Sequence, residues 1–372
     1  MNILVVLGTR PEAVKMAPVI RALRVHPGRP SVSLCLTAQH RDLLDQALVL
    51  FELPVDYDLN LMRPDQSLTG LTGGVLAGLE PILRSERPDL VLVHGDTTTS
   101  FAAALAAFYH QIPVGHVEAG LRSHHSGQPF PEELNRRMTD ALATHHFAPT
   151  EGARENLIRE NIDPSSILVT GNTVVDALLF AAGRPCPASV PRLEALGRER
   201  ELILVTAHRR ESFGAPFFEI CRALRTLAGK HPGVEIACPV HPNPRVSDAA
   251  RKLLGGHDRI HLLEPLEYLP FIHLMKRAHL ILTDSGGIQE EAPSFGVPVL
   301  VLRDVTERPE AVAAGTARLV GTHHDTIVAA ADELLSDCPA RSRMLQAGNP
   351  FGDGQAGQRI ADYLMQLERR SP

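Results

Sequence analysis

Three acidic side chains stand where apolar runs end in the first half of the chain. Asp96 follows the run "LVLVH" in "VHGDTTT", and Glu118 follows the next apolar run in "PVGHVEAG". Glu132 begins a helical pattern directly after Pro131. Carboxylates held close together raise one another's pKa, so that one can stay protonated while another acts as a base. As a group, these three acids indicate acid–base chemistry.

Each of these acids also has a plainer interpretation when it is taken alone. Asp96 is a residue type favoured at a helix N-cap, and Glu118 could pair with Arg122. Glu132 and Arg136 have the i,i+4 spacing of a helical ion pair. The acid–base prediction therefore depends on the three carboxylates meeting at one sheet edge.

Cationic side chains follow predicted strands in both halves of the chain. Arg10 and Lys15 lie near a predicted helix start in "LGTRPEAVK", where an anion is favoured. His208 and Arg209 follow a strand in "LVTAHRRESFG", and such groups bind phosphate through charge-assisted hydrogen bonds. His241 stands in a similar place in "CPVHPNP", although a proline-rich turn is the stronger interpretation there. With a formal net charge of -6, the chain must meet an anionic ligand with a local cationic patch of this kind.

The stretch "LTDSGGIQEEAPSFG" joins a strand to a short helix through a pair of glycines. Glycines let a ligand approach the backbone closely, so we expect the amides of Ser285, Gly286 and Gly287 to hold a diphosphate. Glu291 is then placed to accept hydrogen bonds from ribose hydroxyls, while Glu290 points about 100° away around the helix. On these residues alone, a plain turn before a helix explains the glycines equally well.

Short aliphatic runs alternate with longer amphipathic ones, as in parallel sheets covered by helices on both faces. The predicted strands are Ile3–Leu7, Val32–Thr37, Leu90–His94, Pro113–Val117, His146–Ala148, Ile167–Thr170, Leu202–Thr206, Val234–Pro239, Ile260–Leu263, Leu280–Thr283 and Val297–Leu302. We therefore predict an α/β fold of two Rossmann-like, doubly wound domains with the ligand in the cleft between them. The N-terminal domain is assigned to residues 1–172 and the C-terminal domain, with the expected diphosphate and ribose site, to residues 173–354. A last helix at 355–372 is expected to pack back on the first domain.

Composition limits the partners and cofactors. The negative net charge gives no reason to expect nucleic acid or an anionic membrane, and no apolar run is long enough to span a bilayer. The five cysteines are scattered without a CxxC pair, which argues against a zinc ribbon and fits a reducing cytoplasm. The first helix is not opened by GxGxxG and no lysine follows the glycine pair, so a tightly bound dinucleotide is not expected. No metal site is expected either.

Several motifs together are shared with one enzyme family. The sequence contains, in this order, "GTRPEAVKMAPVI", "VHGDTTT", "GHVEAGLRS", "PFPEELNRRMTD", "VTAHRRESFG" and "LTDSGGIQEEAPSFGVPVLVLRDVTERPEAV". With these motifs the chain resembles the non-hydrolysing UDP-N-acetylglucosamine 2-epimerases over nearly its whole length. The resemblance implies a GT-B-like pair of Rossmann-like domains, a cytoplasmic homodimer, no cofactor, and interconversion of UDP-GlcNAc and UDP-ManNAc for cell-surface polysaccharide.

The resemblance also implies roles for individual residues. Around the sugar and diphosphate it places Arg10, Lys15, Asp96, Glu118, Glu132, Arg136 and His208, and on the diphosphate and ribose it places Ser285, Gly286, Gly287 and Glu291. Arg308, in "TERPE", matches a nucleotide-binding arginine, and the segment from Leu266 to Phe271 matches the stretch that contacts uracil. The predicted catalytic residues are Asp96, Glu118, Glu132 and His208.

Many members of this family bind a second UDP-GlcNAc as an activator. Gln39, Arg209 and His241 match parts of that site. Asp42 and Asp65 stand where some relatives have glutamine and arginine, and two acids beside a second diphosphate are unfavourable. The sequence therefore leaves allosteric activation open.

The chemistry of the sugar restricts the mechanism. The C2 hydrogen of N-acetylglucosamine is not α to a carbonyl, so its direct removal gives no stabilised anion. Elimination of UDP from C1 with loss of the C2 proton avoids this, and it needs a base, an acid and cations for the leaving diphosphate. Which carboxylate is the base stays undecided. The alternatives are a hydrolysing epimerase, a GT-B glycosyltransferase and a catalytically silent protein that binds a UDP-sugar.

Overall fold

The computed structural model describes residues 1–37, 41–63, 65–186, 191–207, 209, 214–240 and 243–370. The chain divides into two compact units. Unit 1 comprises Met1–Ala177 together with Phe351–Pro372, and unit 2 comprises Leu178–Pro350. Each unit is built around its own parallel sheet, so the predicted fold class, α/β with two Rossmann-like sheets, is confirmed.

Unit 1 contains a seven-stranded parallel sheet. Its strands are β1 (Asn2–Leu7), β2 (Ser31–Leu36), β3 (Tyr57–Asp58), β4 (Leu90–His94), β5 (Val114–Val117), β6 (His145–Ala148) and β7 (Ile167–Val169). Their order across the sheet is β3-β2-β1-β4-β5-β6-β7. The winding reverses between β1 and β4, and ligands of such sheets bind at the carboxyl ends of the strands beside this switch point.

The helices of unit 1 connect successive strands. They are α1 (Arg10–Val25), α2 (Arg41–Phe51), α3 (Leu68–Glu86), α4 (Thr98–Tyr109), α5 (Glu132–Leu142), α6 (Glu151–Arg159) and α7 (Thr173–Ala182), whose last residues belong to unit 2. A short 3-10 turn, Pro164–Ser166, precedes β7.

Unit 2 repeats this architecture with six parallel strands. They are β8 (Glu201–Thr206), β9 (Val234–Pro239), β10 (Ile260–Leu263), β11 (Leu280–Thr283), β12 (Val299–Val301) and β13 (Ala317–Leu319), in the order β10-β9-β8-β11-β12-β13. The switch point therefore lies between β8 and β11. The helices are α8 (Pro191–Ala195), α9 (Ala215–Lys230), α10 (Pro244–Leu254), α11 (Tyr268–Arg277), α12 (Gly286–Glu291), α13 (Pro309–Ala314), α14 (His324–Ser336) and α15 (Cys338–Gln346).

Aliphatic side chains explain why the central strands form. All five residues of β4 are buried, as are the last five of β1, because helices cover both faces of a parallel sheet. Helix α4 packs on this sheet through small side chains, among them Ala102, Ala103 and Ala107, which are fully buried. Small side chains let the backbone of α4 lie close to the strands.

The predicted strands agree with the observed ones best in the sheet interiors. Leu90–His94, Val234–Pro239, Ile260–Leu263 and Leu280–Thr283 have the observed bounds. The predicted strand Val297–Leu302 is shorter, because Pro298 has no amide hydrogen to donate and β12 begins one residue later. The short edge strands β3 and β13 carry no aliphatic run, so the sequence pattern does not predict them.

The last helix, α16 (Ala356–Arg370), belongs to unit 1. Asp176 accepts hydrogen bonds from the amides of Ala356 (3.2 Å) and Gly357 (2.8 Å) at the start of this helix. A Cβ atom on Gly357 would come within 2.9 Å of the backbone of Pro18, so the glycine allows α16 to lie directly against α1. Among the described helices, none is long and apolar enough to cross a bilayer.

Candidate functional site

A buried carboxylate joins the two loops that flank the switch point of unit 1. Glu12 accepts hydrogen bonds from the amides of Gly8 (3.0 Å) and Thr9 (2.7 Å), which follow β1. It also accepts from the hydroxyls of Thr97 (2.8 Å) and Ser100 (2.9 Å), which follow β4. Burial raises the pKa of Glu12, although all these hydrogen bonds oppose the rise. Sequence reasoning missed this residue, even though "TRPE" has the spacing of a capping box.

Lys15 and Glu118 form an ion pair at the same edge of the sheet. Lys15 lies on α1, and its ammonium group bonds to Glu118 Oε2. Asn172 Nδ2 donates to the same oxygen at 2.9 Å. Glu118 directly follows β5 in the left-handed region, with φ = 67°, so its backbone bends where the strand ends. The predicted position of Glu118 at a strand end is therefore observed, with Lys15 rather than Arg122 as its partner.

His94, the last residue of β4, is buried beside this ion pair. Its Nε2 atom lies 3.8 Å from Glu118 Oε2 and makes no hydrogen bond within the described part of the chain. Burial lowers the pKa of His94 to about 3, and the nearby Glu118 carboxylate offsets this only in part. His94 is therefore a neutral imidazole at physiological pH.

Asp96 is bonded to Arg136 rather than capping a helix. The N-cap of α4 is Thr97, whose hydroxyl accepts from the amide of Ser100 at 3.1 Å. The Asp96 carboxylate is left to bond to Arg136 Nη2, and Asn135 Nδ2 donates to the Asp96 carbonyl oxygen at 3.1 Å. The plainer interpretation of Asp96 as a cap is thus wrong, since the hydroxyl one residue later takes that position.

The plainer interpretation of Glu132 as the helical ion-pair partner of Arg136 is also wrong. Arg136 Nη1 lies 3.4 Å from Glu133 Oε2 instead, and its other terminal nitrogen is bonded to Asp96. Glu133 is buried and accepts a hydrogen bond from the amide of Ser123 at 2.9 Å. Glu132 is half-buried at the first residue of α5. The two neighbouring glutamates therefore have different surroundings, and only Glu133 is tied into the local fold.

Arg122, the predicted alternative partner of Glu118, belongs to a separate network. Its guanidinium donates to Asp140 Oδ2 at 2.7 Å and to Glu160 Oε2 at 2.8 Å. Asp140 in turn meets His116 of β5, with 2.6 Å between Oδ1 and Nδ1. This network lies beneath the strand ends, where it fixes the turn after β5.

Unit 1 therefore brings two acids and two cations to adjacent strand ends. Asp96 follows β4 and Glu118 follows β5, and these strands are hydrogen-bonded neighbours. A Cβ atom placed on Gly95 would lie only 3.7 Å from Glu118 Oε1. The Glu118 carboxylate therefore lies close to Gly95, the residue before Asp96. Lys15 and Arg136 are bonded to these carboxylates, and Arg10 is the first residue of α1.

The glycine pair of unit 2 stands at the other switch point, directly after β11. Ser285 is the N-cap residue of α12, and its amide donates to Thr283 Oγ1 at 2.9 Å. Gly286 is buried and Gly287 is exposed. Helix α12 is short, as the proline at 293 predicts, and a 3-10 turn, Ala292–Phe295, follows it. Glu291 lies within 3.4 Å of the Tyr268 hydroxyl, at the start of α11.

Arg308, in the loop after β12, lies close to Gly286. Its guanidinium carbon would lie 3.8 Å from a Cβ atom on Gly286, and its Nε atom is bonded to Glu290. Glu290 is almost fully buried and pairs with Arg308, whereas Glu291 lies near the Tyr268 hydroxyl. The two glutamates therefore point apart, as predicted. The Arg308 amide donates to Thr306 Oγ1 at 3.1 Å, which fixes the loop.

The remaining predicted positions are dispersed or lie outside the described residues. Leu266 is half-buried in the loop after β10, and Phe271 is in the first turn of α11. The Arg209 amide donates to Asp284 Oδ2 at 2.8 Å, and its side chain meets Glu307 Oε1 at 3.2 Å. Asp65 is exposed, with φ = 52°. Gln39, His208 and His241, and the side chain of Asp42, fall outside the part of the chain that the structure describes.

Comparison with known proteins decides the family. The sequence model of the UDP-N-acetylglucosamine 2-epimerases matches residues 22–365. The chain belongs to the UDP-N-acetylglucosamine 2-epimerase family. The family and the enzyme class expected from the sequence motifs are thereby confirmed.

Relatives in this epimerase family match the chain over nearly its full length. The UDP-N-acetylglucosamine 2-epimerase of Yersinia pestis is 55% identical, covering 98% of both chains. That of Bacillus subtilis is 50% identical, covering 98% of this chain and 95% of its own. Among solved structures, the crystal structure of UDP-GlcNAc 2-epimerase from Neisseria meningitidis bound to UDP-GlcNAc superposes with a TM-score of 0.86. The two sequences are 48% identical, and the match covers 98% of this chain and 100% of the Neisseria chain.

Proposed function

We propose that the chain interconverts UDP-GlcNAc and UDP-ManNAc by eliminating UDP and adding it back. The observation that carries this proposal is the pair of acids, Asp96 and Glu118, at the ends of adjacent strands, each bonded to a cation. Acids held beside cations at a switch point suit a reaction that moves a proton while an anion leaves. The epimerase of Neisseria meningitidis, a close relative, was crystallised with UDP-GlcNAc.

In the forward step the C1–O bond to UDP breaks and its electron pair leaves with the diphosphate. The C2–H bond breaks as well, its electron pair becomes the C1=C2 double bond, and the proton passes to a carboxylate. The product is 2-acetamidoglucal with bound UDP. A proton then returns to C2 on the opposite face, and the diphosphate oxygen attacks C1. Asp96, Glu118 and Glu132 supply the base and the acid, and a half-buried position lets Glu132 exchange protons with solvent.

Cationic groups and backbone amides stabilise the leaving diphosphate. In this proposal the amides of Ser285, Gly286 and Gly287 and the guanidinium of Arg308 bind the UDP, and Glu291 accepts from the ribose. The short distance between Arg308 and Gly286 supports a shared ligand for these groups. Arg10 and Lys15 act on the diphosphate from α1, together with His208. Prearranged donors that stabilise the charge of a leaving group often contribute more to such catalysis than any other effect.

The test is incubation with UDP-GlcNAc in D2O, followed by proton NMR. We expect UDP-ManNAc with deuterium at C2, and deuterium washed into the C2 position of the remaining UDP-GlcNAc. Free ManNAc and UDP would instead identify a hydrolysing enzyme. A substrate that stays unlabelled and is consumed only when an acceptor is added would identify a transferase. A substrate that binds but does not react under either condition would identify a binding protein.

We further propose, from the family resemblance, that the enzyme is a homodimer whose product supplies ManNAc units for cell-surface polysaccharide. Light scattering of the purified protein gives its mass in solution, and a monomer at working concentration would contradict the first part. Loss of ManNAc from surface polysaccharide in a deletion strain tests the second.

The second UDP-GlcNAc site predicted at Gln39, Arg209 and His241 is tested by the dependence of the rate on substrate concentration. A rate that depends hyperbolically on UDP-GlcNAc would show that this site does not activate the enzyme.

A further inference from the structure

His116 is fully enclosed in the middle of β5, two residues before Glu118. Its Nε2 atom lies 2.7 Å from the carbonyl oxygen of Gly95, the residue before Asp96. Its Nδ1 atom lies 2.6 Å from Asp140 Oδ1. Both ring nitrogens are therefore within hydrogen-bonding distance of an oxygen, and one of those oxygens belongs to the turn that carries a proposed catalytic acid.

The partners of His116 determine where its protons lie. A peptide carbonyl only accepts, so Nε2 must carry a hydrogen. The Asp140 carboxyl already accepts from Arg122 Nη2 at 2.7 Å and from the amide of Gly120 at 3.3 Å, both on Oδ2. Those contacts favour an ionised carboxylate, which needs a donor at Oδ1 as well. Nδ1 must then also carry a hydrogen, and His116 is an imidazolium.

The other charged and titratable groups around His116 agree with this. Burial alone would raise the pKa of Asp140, but His116 and Arg122 together hold it below its usual value. Burial lowers the pKa of the two histidines on the neighbouring strands, His94 and His146, so both are neutral. Glu160 balances the second cation, Arg122.

We propose that His116, as a buried imidazolium, is a positioning residue that holds the turns carrying Asp96 and Glu118 in the arrangement needed for proton transfer. This inference rests on the proposed function, because it takes Asp96 and Glu118 as the acids of the reaction. His116 does not touch the sugar. It acts through the Gly95 carbonyl on one side and through its own strand on the other.

The backbone geometry explains why these turns need such support. Gly95 has φ = 65° and Glu118 has φ = 67°, so the first residue after each of the two strands is left-handed. The Gly95 amide donates to the Val117 carbonyl at 2.9 Å, which joins the two turns directly. Glycine adopts this conformation freely, but Glu118 carries a side chain, so its left-handed conformation persists only where its surroundings impose it. The hydrogen bond from His116 fixes the Gly95 turn, which is itself bonded to Val117, and so supplies part of the constraint on Glu118.

The variant His116→Gln tests this, with His146→Gln as its matched control. His146 is the direct neighbour of His116 across the β5–β6 pair, is equally buried, and donates to the Asp140 carbonyl oxygen (2.9 Å) without contacting Gly95. We expect His116→Gln to lower kcat about 100-fold while UDP affinity stays within about 2-fold. We expect His146→Gln to lower the melting temperature similarly but to change kcat by less than about 3-fold. Equal losses of kcat in the two variants would overturn the proposal.

A spectroscopic measurement keeps the proposal testable even when His116→Gln does not fold. In wild-type protein labelled with 15N-histidine, one histidine ring should show a hydrogen-bonded proton on each of its two nitrogens at neutral pH. The absence of such a ring among the 18 histidines would overturn the proposal. This measurement does not depend on turnover. If no deuterium were incorporated at C2, the proposed function would be wrong, but the protonation of His116 could still be measured.

Discussion

The ammonium group of Lys15 on α1 is bonded to the carboxylate of Glu118 after β5, which joins the first helix of unit 1 to its central strand ends. Both side chains are mostly buried, with 16% and 10% exposed. Removing one partner of such a pair leaves the other charge without compensation, at a cost of roughly 3 kcal/mol. Lys15 is also proposed to stabilise the leaving diphosphate, so we expect Lys15→Met to lower kcat/KM about 100-fold or more in steady-state assays.

An exposed lysine provides the control for this variant. Lys230 is bonded to Asp332 in unit 2, but its side chain is 56% exposed. Exposed ion pairs contribute about 0–1 kcal/mol, so Lys230→Met should leave both kcat/KM and the melting temperature nearly unchanged. Equal activity of Lys15→Met and Lys230→Met would mean that the Lys15–Glu118 pair has no part in the reaction.

His94 should make the stability of the protein fall at acid pH. Its pKa is about 3 in the folded chain and about 6.5 when unfolded, so the unfolded state takes up a proton first as the pH falls. Stability that is present above about pH 6.5 is therefore lost progressively towards about pH 3. Between about pH 7 and pH 5 this amounts to about 2 kcal/mol in the free energy of unfolding.

Urea unfolding of the wild type and of His94→Asn at those two pH values measures this effect. His145 and His146 also have pKa values lowered by burial, but their contributions cancel in the difference between the two proteins. We expect the stability advantage of the wild type to be about 2 kcal/mol smaller at the lower pH. An advantage that does not change with pH would show that His94 takes up a proton in the folded protein.

The two glutamates at the start of α5 should separate catalysis from stability. Glu132→Gln, like Asp96→Asn and Glu118→Gln, should lower kcat about 1,000-fold while UDP still binds. Glu133 is buried and bonded to the Ser123 amide, so Glu133→Gln should lower the free energy of unfolding by about 1–3 kcal/mol. Measurements of kcat and titration calorimetry with UDP report the effect on catalysis, and thermal unfolding reports the effect on stability. Wild-type turnover of any of the first three variants would remove that residue from the mechanism.

Neither the packing around position 286 nor its backbone conformation requires a glycine there. A Cβ atom there would lie 3.8 Å from Arg308, an ordinary contact distance, and its φ is not left-handed. We therefore expect Gly286→Ala to fold normally, while its methyl group blocks the diphosphate and weakens UDP binding about 10-fold or more. Gly229→Ala in α9, where a Cβ atom meets open space, is the control and should bind UDP normally. Titration calorimetry with UDP compares the two; unchanged affinity in Gly286→Ala would place the diphosphate elsewhere.

The fold class could be predicted from the sequence because buried parallel strands need continuous aliphatic runs. Leu90–His94 and Leu280–Thr283 are such runs and have the predicted bounds. The ion pairs could not be predicted in the same way, because they depend on which loops meet. Arg136 is one helical turn from Glu132, yet it bonds to Asp96, 40 residues away along the chain. The sequence pattern places His116 only within an apolar strand, since nothing local indicates that its two nitrogens face Gly95 and Asp140.

The packing of α16 on α1 makes unit 1 depend on a helix that is synthesised after all of unit 2. Unit 1 takes its last helix from Ala356–Arg370, which the ribosome makes only after all of unit 2. Until then the surface of α1 around Pro18 lies uncovered, and Asp176 lacks the amides of Ala356 and Gly357. Unit 2, in contrast, is continuous in sequence. The unit that holds the proposed acids therefore depends on Ala356–Arg370, and a nascent chain cannot complete it before that helix is made.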